Sequence, residues 1–176
     1  MKEEIQIKKL QRMKFLFVIL INLTSGYCLA QLPTDSLPFD PAISIYTTQN
    51  ISFGAFSHGN AGGTISISNT GTRTATGSVT ALNLGVQYFQ AIFEIEAPVG
   101  TIISILNGPD VILSGSNGGT MLLQIGDSNP ASPFSTVVSP PGRTPINIGG
   151  SISVGNSAAN PPGSYNGVFY LIFNQE

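Results

Sequence analysis

The sequence feature that most constrains the fold is an alternation between short apolar or β-branched runs and clusters of turn-forming residues. From about residue 43 to the end, runs rich in Ile, Val, Thr and Phe are separated by Gly, Asn, Pro and Ser. This pattern is typical of β-strands joined by turns. No stretch of helical length shows a 3.6-residue apolar period. The sequence therefore predicts an all-β fold of roughly eight to ten short strands, arranged as an antiparallel sandwich or barrel.

The clearest strand periodicity lies in residues 63–68, where Ile65 and Ile67 point to one face. A turn at 69–72 leads to its expected hairpin partner, 74–82. Further strands are predicted at 89–96, 101–106, 111–113, 120–125, 146–154 and 165–173. Within 146–154, Gly149 and Gly150 indicate a bulge. Residues 127–143, rich in Pro and Ser, are predicted to form a long loop that could include a short edge strand.

The first thirty residues have the features of a secretory signal peptide. Basic residues precede an apolar run at 15–23, and small residues follow it, so cleavage is expected between Ala30 and Gln31. The run is too short to span a bilayer, and a buried core helix is the alternative. Met13 is an alternative start.

The domain organisation follows from that cleavage site. Residues 31–41, with three prolines, are expected to be an extended leader, and residues 42–176 a single domain. The expected location is extracellular, at the cell surface or in the periplasm.

The composition after residue 30 excludes several classes of function. This part has no cysteine, lysine or tryptophan, and its cations are Arg73 and Arg143 against seven carboxylates. No basic patch is available for nucleic acid or an anionic membrane. Disulfides cannot stabilise such a domain, so its stability must come from a core. No further apolar run is long enough to cross a membrane.

Signals for catalysis or metal binding are weak. The sole histidine, His58, lies in a segment predicted to be an exposed loop, 57–60, with no nucleophile marked beside it. Glu94 and Glu96 are expected to solubilise an outward strand face. Asp127 opens a stretch that resembles a calcium loop but lacks the later glycine and glutamate of an EF-hand. We therefore expect a non-enzymatic protein without a metal or cofactor.

Seven segments, taken together, resemble a known family. In chain order they are 45–54, 63–67, 71–79, 91–95, 119–121, 148–155 and 163–169. Their order and spacing are similar to the bacterial secreted family of unknown function numbered forty-four-oh-two. The resemblance implies an exported immunoglobulin-like sandwich with the overall plan of a fimbrial subunit and no established catalytic residues. Structural roles are expected for Gly54, Gly149, Gly150 and Gly167.

The closing run, 168–173, is entirely apolar although it ends the chain. In a strand, Val168, Tyr170 and Ile172 face one way and the residues between them face the other. One set can fill the core, and the other needs a cover. The cover could be loop 127–143, closure of a barrel-like sheet, or a neighbouring subunit. At the start of this strand, Tyr165 is expected to hydrogen-bond to backbone as a corner tyrosine.

The leading functional hypothesis is a structural subunit of a surface or fimbria-like assembly. An extended arm of one subunit can add a strand to the next. Its partners would be other copies or an envelope assembly partner. The alternative for residues 43–53 is that they form the first strands of their own sandwich. The residues expected to make subunit contacts are Ile43, Ile45, Ile51, Val168, Tyr170 and Ile172.

Two other functional classes remain open. An adhesin-type module would bind a glycan or a protein, and Tyr46, Tyr88 and Phe134 are the candidate aromatic contacts. An extracellular hydrolase has the least support, because one histidine and scattered acids form no catalytic constellation.

Overall fold

The computed structural model describes residues 43–176, and no residue in this range is helical. The predicted signal peptide, the cleavage site at Ala30 and Gln31, and the leader lie outside the described residues. The strands in chain order are β1 (Ser44–Gln49), β2 (Phe56–Ile67), β3 (Arg73–Ala81), β4 (Ala91–Glu96), β5 (Ile102–Asn107), β6 (Val111–Gly115), β7 (Thr120–Asn129), β8 (Phe134–Ser135), β9 (Thr144–Val154), β10 (Tyr165–Asn166) and β11 (Leu171–Gln175). Among the described residues there is no helix of the length and apolarity needed to cross a membrane.

The strands form two sheets in which every strand pairing is antiparallel. The larger sheet has the order β1-β4-β9-β7-β6-β10, and β2 pairs with both β9 and β3. The smaller sheet has the order β11-β5-β8. The expected β2–β3 hairpin is present, with Ile65 opposite Ala75. The prediction of an all-β antiparallel fold is confirmed.

Strand β9 is the central strand of the larger sheet. One side pairs with β7, while the other pairs with β4 up to Ile148 and with β2 from Gly150 onward. Gly149 lies where the neighbour changes, and a Cβ there would be 2.5 Å from the Ile67 carbonyl oxygen. The predicted bulge lies in the facing strand β7, between Ile125 and Ser128. The sequence pattern placed the bulge in β9, at the two glycines, whereas the extra residue lies on β7, opposite them.

Two apolar clusters form the core. The first lies inside the curled half of the larger sheet and includes Ile65, Leu123 and Ile152. The second lies between the smaller sheet and the β4–β9 region, with Ile95, Ile103 and Ile146 fully buried. Both clusters are contacted by Ile51, Ile125 and Phe169. The larger sheet therefore curls over one cluster and packs against the smaller sheet over the other.

The loop prediction for His58 was wrong, and the predicted loop 127–143 with a short edge strand is present but starts later than expected. His58 lies in β2, where it pairs with Val79 of β3, and a register shift accommodates the Gly- and Asn-rich residues between His58 and Gly63. Strand β7 continues to Asn129, so the irregular segment begins at Pro130. That segment contains the short strand β8, which pairs with β5.

The prediction of one closing strand across residues 165–173 was also wrong. β10 pairs with β6 in the larger sheet, whereas β11 pairs with β5 in the smaller sheet. Residues 167–170 cross between them. Gly167 makes a close crossing possible, since a Cβ there would be 2.7 Å from Leu113 Cδ2.

Candidate functional site

In the closing segment, one of the two sets of alternating apolar side chains points into the core. Phe169 packs against both clusters, and Leu171 and Phe173 pack against the second. The Phe93 ring meets Phe169 edge-on, with ring centroids 6.3 Å apart, and its centroid lies 5.7 Å from that of Phe173. This row fixes the direction of the alternate side chains.

The alternate side chains of the segment point to solvent. Val168, Tyr170 and Ile172 are 68%, 69% and 51% exposed, and Leu106, directly opposite Ile172 on β5, is 58% exposed. We call these four residues the closing face. Segment 130–143, whose strand β8 pairs with the opposite edge of β5, leaves these four side chains exposed. Exposed apolar surface of this kind commonly marks an interaction site.

The backbone beside the closing face is also open. Among the described strands, β11 has a hydrogen-bonded neighbour only at β5. The strand, LIFNQ, contains neither a charged residue nor a proline. Charges and prolines are the usual features that keep an edge strand from pairing with another chain. The edge of β11 therefore lacks the usual features that prevent pairing with a further strand.

The other residues predicted to contact subunits lie on or near β1. In the structure β1 pairs with β4 of its own chain, with Ile45 opposite Ile95. Ile43 and Ile51 pack against the core of the same chain, while Ile45 is 42% exposed. Residues 44–49 thus form an edge strand of their own sheet, which corresponds to the alternative interpretation of this arm.

A charged cluster lies on the outer face of β4. Arg143 Nη1 is 3.2 Å from Glu94 Oε2, and Arg143 Nε is 3.5 Å from Glu96 Oε2. The guanidinium also stacks on the Tyr46 ring, 3.6 Å from its centroid. The hydrogen bond to Glu94 raises the pKa of Arg143 further above its ordinary value, and burial opposes the shift. Glu94 and Glu96 are thus engaged in ion pairs on an outward strand face.

The second arginine ties three segments together. Arg73 donates from Nη1 to the carbonyl oxygens of Phe53 and Ala55, and from Nη2 to Leu82 O and Asn83 Oδ1. Its guanidinium lies 4.1 Å from the centroid of the Tyr88 ring. Gly54 has φ +69°, and a Cβ there would lie 2.8 Å from Arg73 Nη1. The glycine both permits the turn and leaves room for the arginine.

The structure limits which of the three candidate aromatic residues could contact a glycan. Phe134 is buried in the second core cluster, so it cannot serve as an exposed platform. Tyr46 and Tyr88 are exposed, but each has a guanidinium over one ring face. A sugar could stack only on the opposite faces.

The side chains considered for catalysis or metal binding do not form one cluster. His58 Nε2 is 3.0 Å from the Asn160 carbonyl oxygen and Nδ1 is 3.4 Å from that of Gly59. Asp127 lines a shallow cleft with Asp110, whose Oδ2 accepts a hydrogen bond from Gln124 Nε2 at 2.8 Å. Within residues 43–176 no three His, Cys, Asp or Glu side chains are grouped as metal ligands would be.

Sequence reasoning missed the buried polar residues of the fold, among them Asn160, which is 1% exposed. Its amide accepts from Gly155 N and donates to Thr120 O and Ala159 O. Nearby, the Tyr165 hydroxyl donates to Pro161 O at 2.7 Å, so the tyrosine bonds to backbone as expected of a corner residue. No local sequence signal distinguishes Asn160 from the many loop asparagines.

A groove opens along the first core cluster. Its volume is about 520 Å³, and its floor contains Leu113, Met121, Leu123 and Ile152. One rim is formed by Leu82, Leu84 and Val86, which follow β3, and the other by residues 161–167, which include β10. Since β3 and β10 are the two ends of the curled sheet, we call this opening the seam groove.

The geometry defines the chain as an antiparallel all-β domain with an exposed apolar closing face and an open groove over its core. Residues 43–174 match the family model described as Domain of unknown function (DUF4402), and the chain belongs to that family. No match was found among the curated proteins or among the solved structures.

Proposed function

We propose that this protein is a secreted, non-enzymatic structural subunit of a cell-surface or fimbria-like assembly. Copies join to one another, or to an envelope partner, by strand pairing and apolar burial. The observation that carries this proposal is the closing face, where Val168, Tyr170 and Ile172 lie exposed beside an uncharged edge strand.

The physical reason is the cost of leaving that surface in water. Each apolar side chain removed from water contributes about 25 cal/mol per Å². A free β-edge provides backbone donors and acceptors for a second chain at the same place. Apolar contact thus supplies affinity at the closing face, and strand pairing sets the register.

The composition is compatible with this role. The part of the chain beyond residue 30 has two arginines, no lysine and seven carboxylates, so few charges of either sign oppose close packing of copies. Polarity comes largely from uncharged Ser, Thr, Asn and Gly. A weakly charged surface reduces the repulsion between identical subunits.

The test compares single charges on exposed apolar residues. Ile172→Asp places a carboxylate in the closing face, and Ile45→Asp places one on the β1 edge. Val137→Asp is the matched control, because Val137 is apolar and 75% exposed but lies outside both regions. All three variants are expected to stay folded, since each substituted side chain already contacts solvent.

Light scattering after size exclusion measures the mass of each variant. We expect the unmodified chain and Val137→Asp to form species larger than one chain, and Ile172→Asp to reduce the mass toward one chain. Ile45→Asp should do the same if the β1 edge also joins copies. An unchanged mass in Ile172→Asp would show that the closing face does not contribute to the assembly.

A second candidate function is an adhesin-type module that binds a glycan or a protein. It is favoured by Tyr46 and Tyr88, whose rings are exposed and held in place by arginines. Binding on a glycan array that is lost in Tyr46→Ala or Tyr88→Ala would support it. If no glycan on the array binds and the chain self-associates, the structural-subunit hypothesis is favoured. The lesser alternative, an extracellular hydrolase, has no supporting cluster among the described side chains.

A further inference from the structure

Among the edge strands that the structure describes, β11 alone offers an uninterrupted edge of more than two residues. β1 has a register shift between Thr47 and Gln49. β3 carries Arg73 and a glycine, Gly77, whose φ of +69° departs from extended strand geometry. β8 and β10 have two residues each. Bulges, charges and short length keep an edge from pairing with another chain, and β11, in unbroken register with β5, has none of them.

The hydrogen bonds between the closing segment and β5 show which backbone groups face the open edge. The Tyr170 carbonyl oxygen accepts from Gly108 N, and Glu176 N donates to the Ile102 carbonyl oxygen. Along an antiparallel strand, residues that bond to one neighbour alternate with residues whose N–H and C=O point the other way. The residues of β11 whose backbone groups point to the open edge are therefore Leu171, Phe173 and Gln175.

The spacing of these open groups is self-complementary. When two copies of β11 run antiparallel, one register matches all three residues, and it places Phe173 opposite Phe173 of the second copy. Leu171 of each copy then lies opposite Gln175 of the other. Each of these pairs can exchange two hydrogen bonds between backbone groups. A shift of two residues in either direction loses one of the pairs, so the backbone favours the register centred on Phe173.

The side chains across this junction are compatible in the same register. Ile172 lies opposite Asn174 of the second copy, and Tyr170 lies opposite Glu176, where the tyrosine hydroxyl can donate to the carboxylate. The two Glu176 side chains lie about 20 Å apart, at opposite ends of the pair. Parallel pairing would instead place these two carboxylates side by side, and like charges directly opposite each other are destabilising. Charge therefore favours the antiparallel arrangement.

Apolar side chains at the open edge gain cover from the same pairing. Leu171 and Phe173 pack against the second core cluster but are only partly buried. With two copies paired, the Phe173 side chains of both lie next to each other on the inner side of the joined sheets. The second copy thus covers apolar surface that the single chain leaves in contact with water.

We propose that β11 pairs with β11 of a second copy about a two-fold axis at Phe173, which joins two three-stranded sheets into one of six strands. This inference rests on the proposed subunit function and names its strand-pairing contact. Because the same edge serves both copies, the contact closes on itself and joins copies in twos. The two closing faces then lie side by side on the outer side of the joined sheet, where apolar contact with further copies can bury them together.

A proline at residue 175 tests the edge pairing. Gln175→Pro removes an N–H that points to the open edge, whereas the donors between β11 and β5 remain. Gln175→Ala is the matched control, because it loses the same side chain and keeps the N–H. Light scattering over a concentration series measures association, and circular dichroism confirms the fold of both variants. We expect Gln175→Pro to need at least tenfold more protein than Gln175→Ala to pair, and equal curves would overturn the proposal.

A cysteine trap measures the register with the backbone unchanged. Every preparation carries Cys28→Ser, so that the introduced thiol is the only one in its chain. One preparation carries Ile172→Cys and another Asn174→Cys, and the Cα atoms of these residues would lie about 4.5 Å apart across the junction. A disulfide can span that distance. Val137→Cys, exposed and outside the junction, is the matched control partner for Asn174→Cys.

We expect the mixture of Ile172→Cys and Asn174→Cys, under mild oxidation, to give at least ten times more mixed disulfide than the Val137→Cys control. A yield equal to that of the control would overturn the pairing. Preferential linkage of Ile172→Cys to another copy of itself would overturn the register at Phe173.

The outcomes also separate this inference from the proposed function. If Ile172→Asp abolishes assembly but no mixed disulfide forms and the two Gln175 variants behave alike, only the β11 pairing is wrong. If the unmodified chain has the mass of one chain at all concentrations and no mixed disulfide forms, both are wrong. A mixed disulfide together with a mass that stops at two chains would support the pairing and contradict a longer assembly.

Discussion

At the scale of single residues, the two arginines of the described chain have unequal roles. Arg73 is half-buried and donates to four acceptors in two loops. Arg143 binds two carboxylates at the surface. Hydrogen bonds from a half-buried charged group to carbonyl oxygens stabilise more than exposed ion pairs do.

Replacing Arg73 with methionine is therefore expected to lower the free energy of unfolding by about 2 kcal/mol. The measurement is urea denaturation followed by intrinsic tyrosine fluorescence or circular dichroism. Arg143→Met is the control and should change the denaturation midpoint much less. Equal losses in the two variants would contradict the assigned role of Arg73.

At the scale of the strand, the sequence pattern correctly predicted features that depend on residues close together in sequence. The alternation around Ile65 and Ile67 was sufficient for a half-buried strand and its hairpin, because both are local. The break of the closing strand at Gly167 was not predictable in this way. It arises from pairing with β6 on one side and β5 on the other, which lie far away in sequence.

The candidate site shows the same division. Alternation indicated that Val168, Tyr170 and Ile172 share a face, and the structure leaves that face exposed. The burial of Phe134 and the strand position of His58 were mispredicted, because Pro-, Ser- and Gly-rich surroundings resemble loops. No local sequence pattern indicated the seam groove, since the groove depends on how the two ends of the curled sheet lie relative to each other.

Gly149 provides a test of strand-level packing. Gly149→Ala would place a methyl group 2.5 Å from the Ile67 carbonyl oxygen, where backbone cannot easily move. We expect a loss of about 2 kcal/mol or more in the free energy of unfolding. Gly126→Ala is the matched control, since the nearest atom to its Cβ would be 3.4 Å away. A control as damaging as Gly149→Ala would show that the strand junction is not the reason.

The closing segment provides a second test at this scale. Phe169→Ala removes a ring that contacts both core clusters and Phe93, so a loss of about 2–3 kcal/mol is expected. Tyr170→Ala, one residue further on, should cost less than about 0.5 kcal/mol in the single chain. Thermal or chemical denaturation at low protein concentration measures both. The reverse order would mean that the two rows face opposite to the structure.

At the scale of the whole molecule, the fold leaves three apolar or pairing surfaces open in the described chain. The closing face, the β11 edge and the seam groove lie at the margins of the two sheets. A β-protein with such margins is prone to aggregation unless specific contacts use them. Assembly through these margins is the central element of the proposed function.

The most direct test of that claim is the mass of the unmodified exported chain as a function of concentration, measured by light scattering with negative-stain microscopy of the same samples. The account predicts that mass rises with concentration well beyond one chain and that elongated particles appear. A mass of one chain at all concentrations, with no extended particles, would contradict self-assembly.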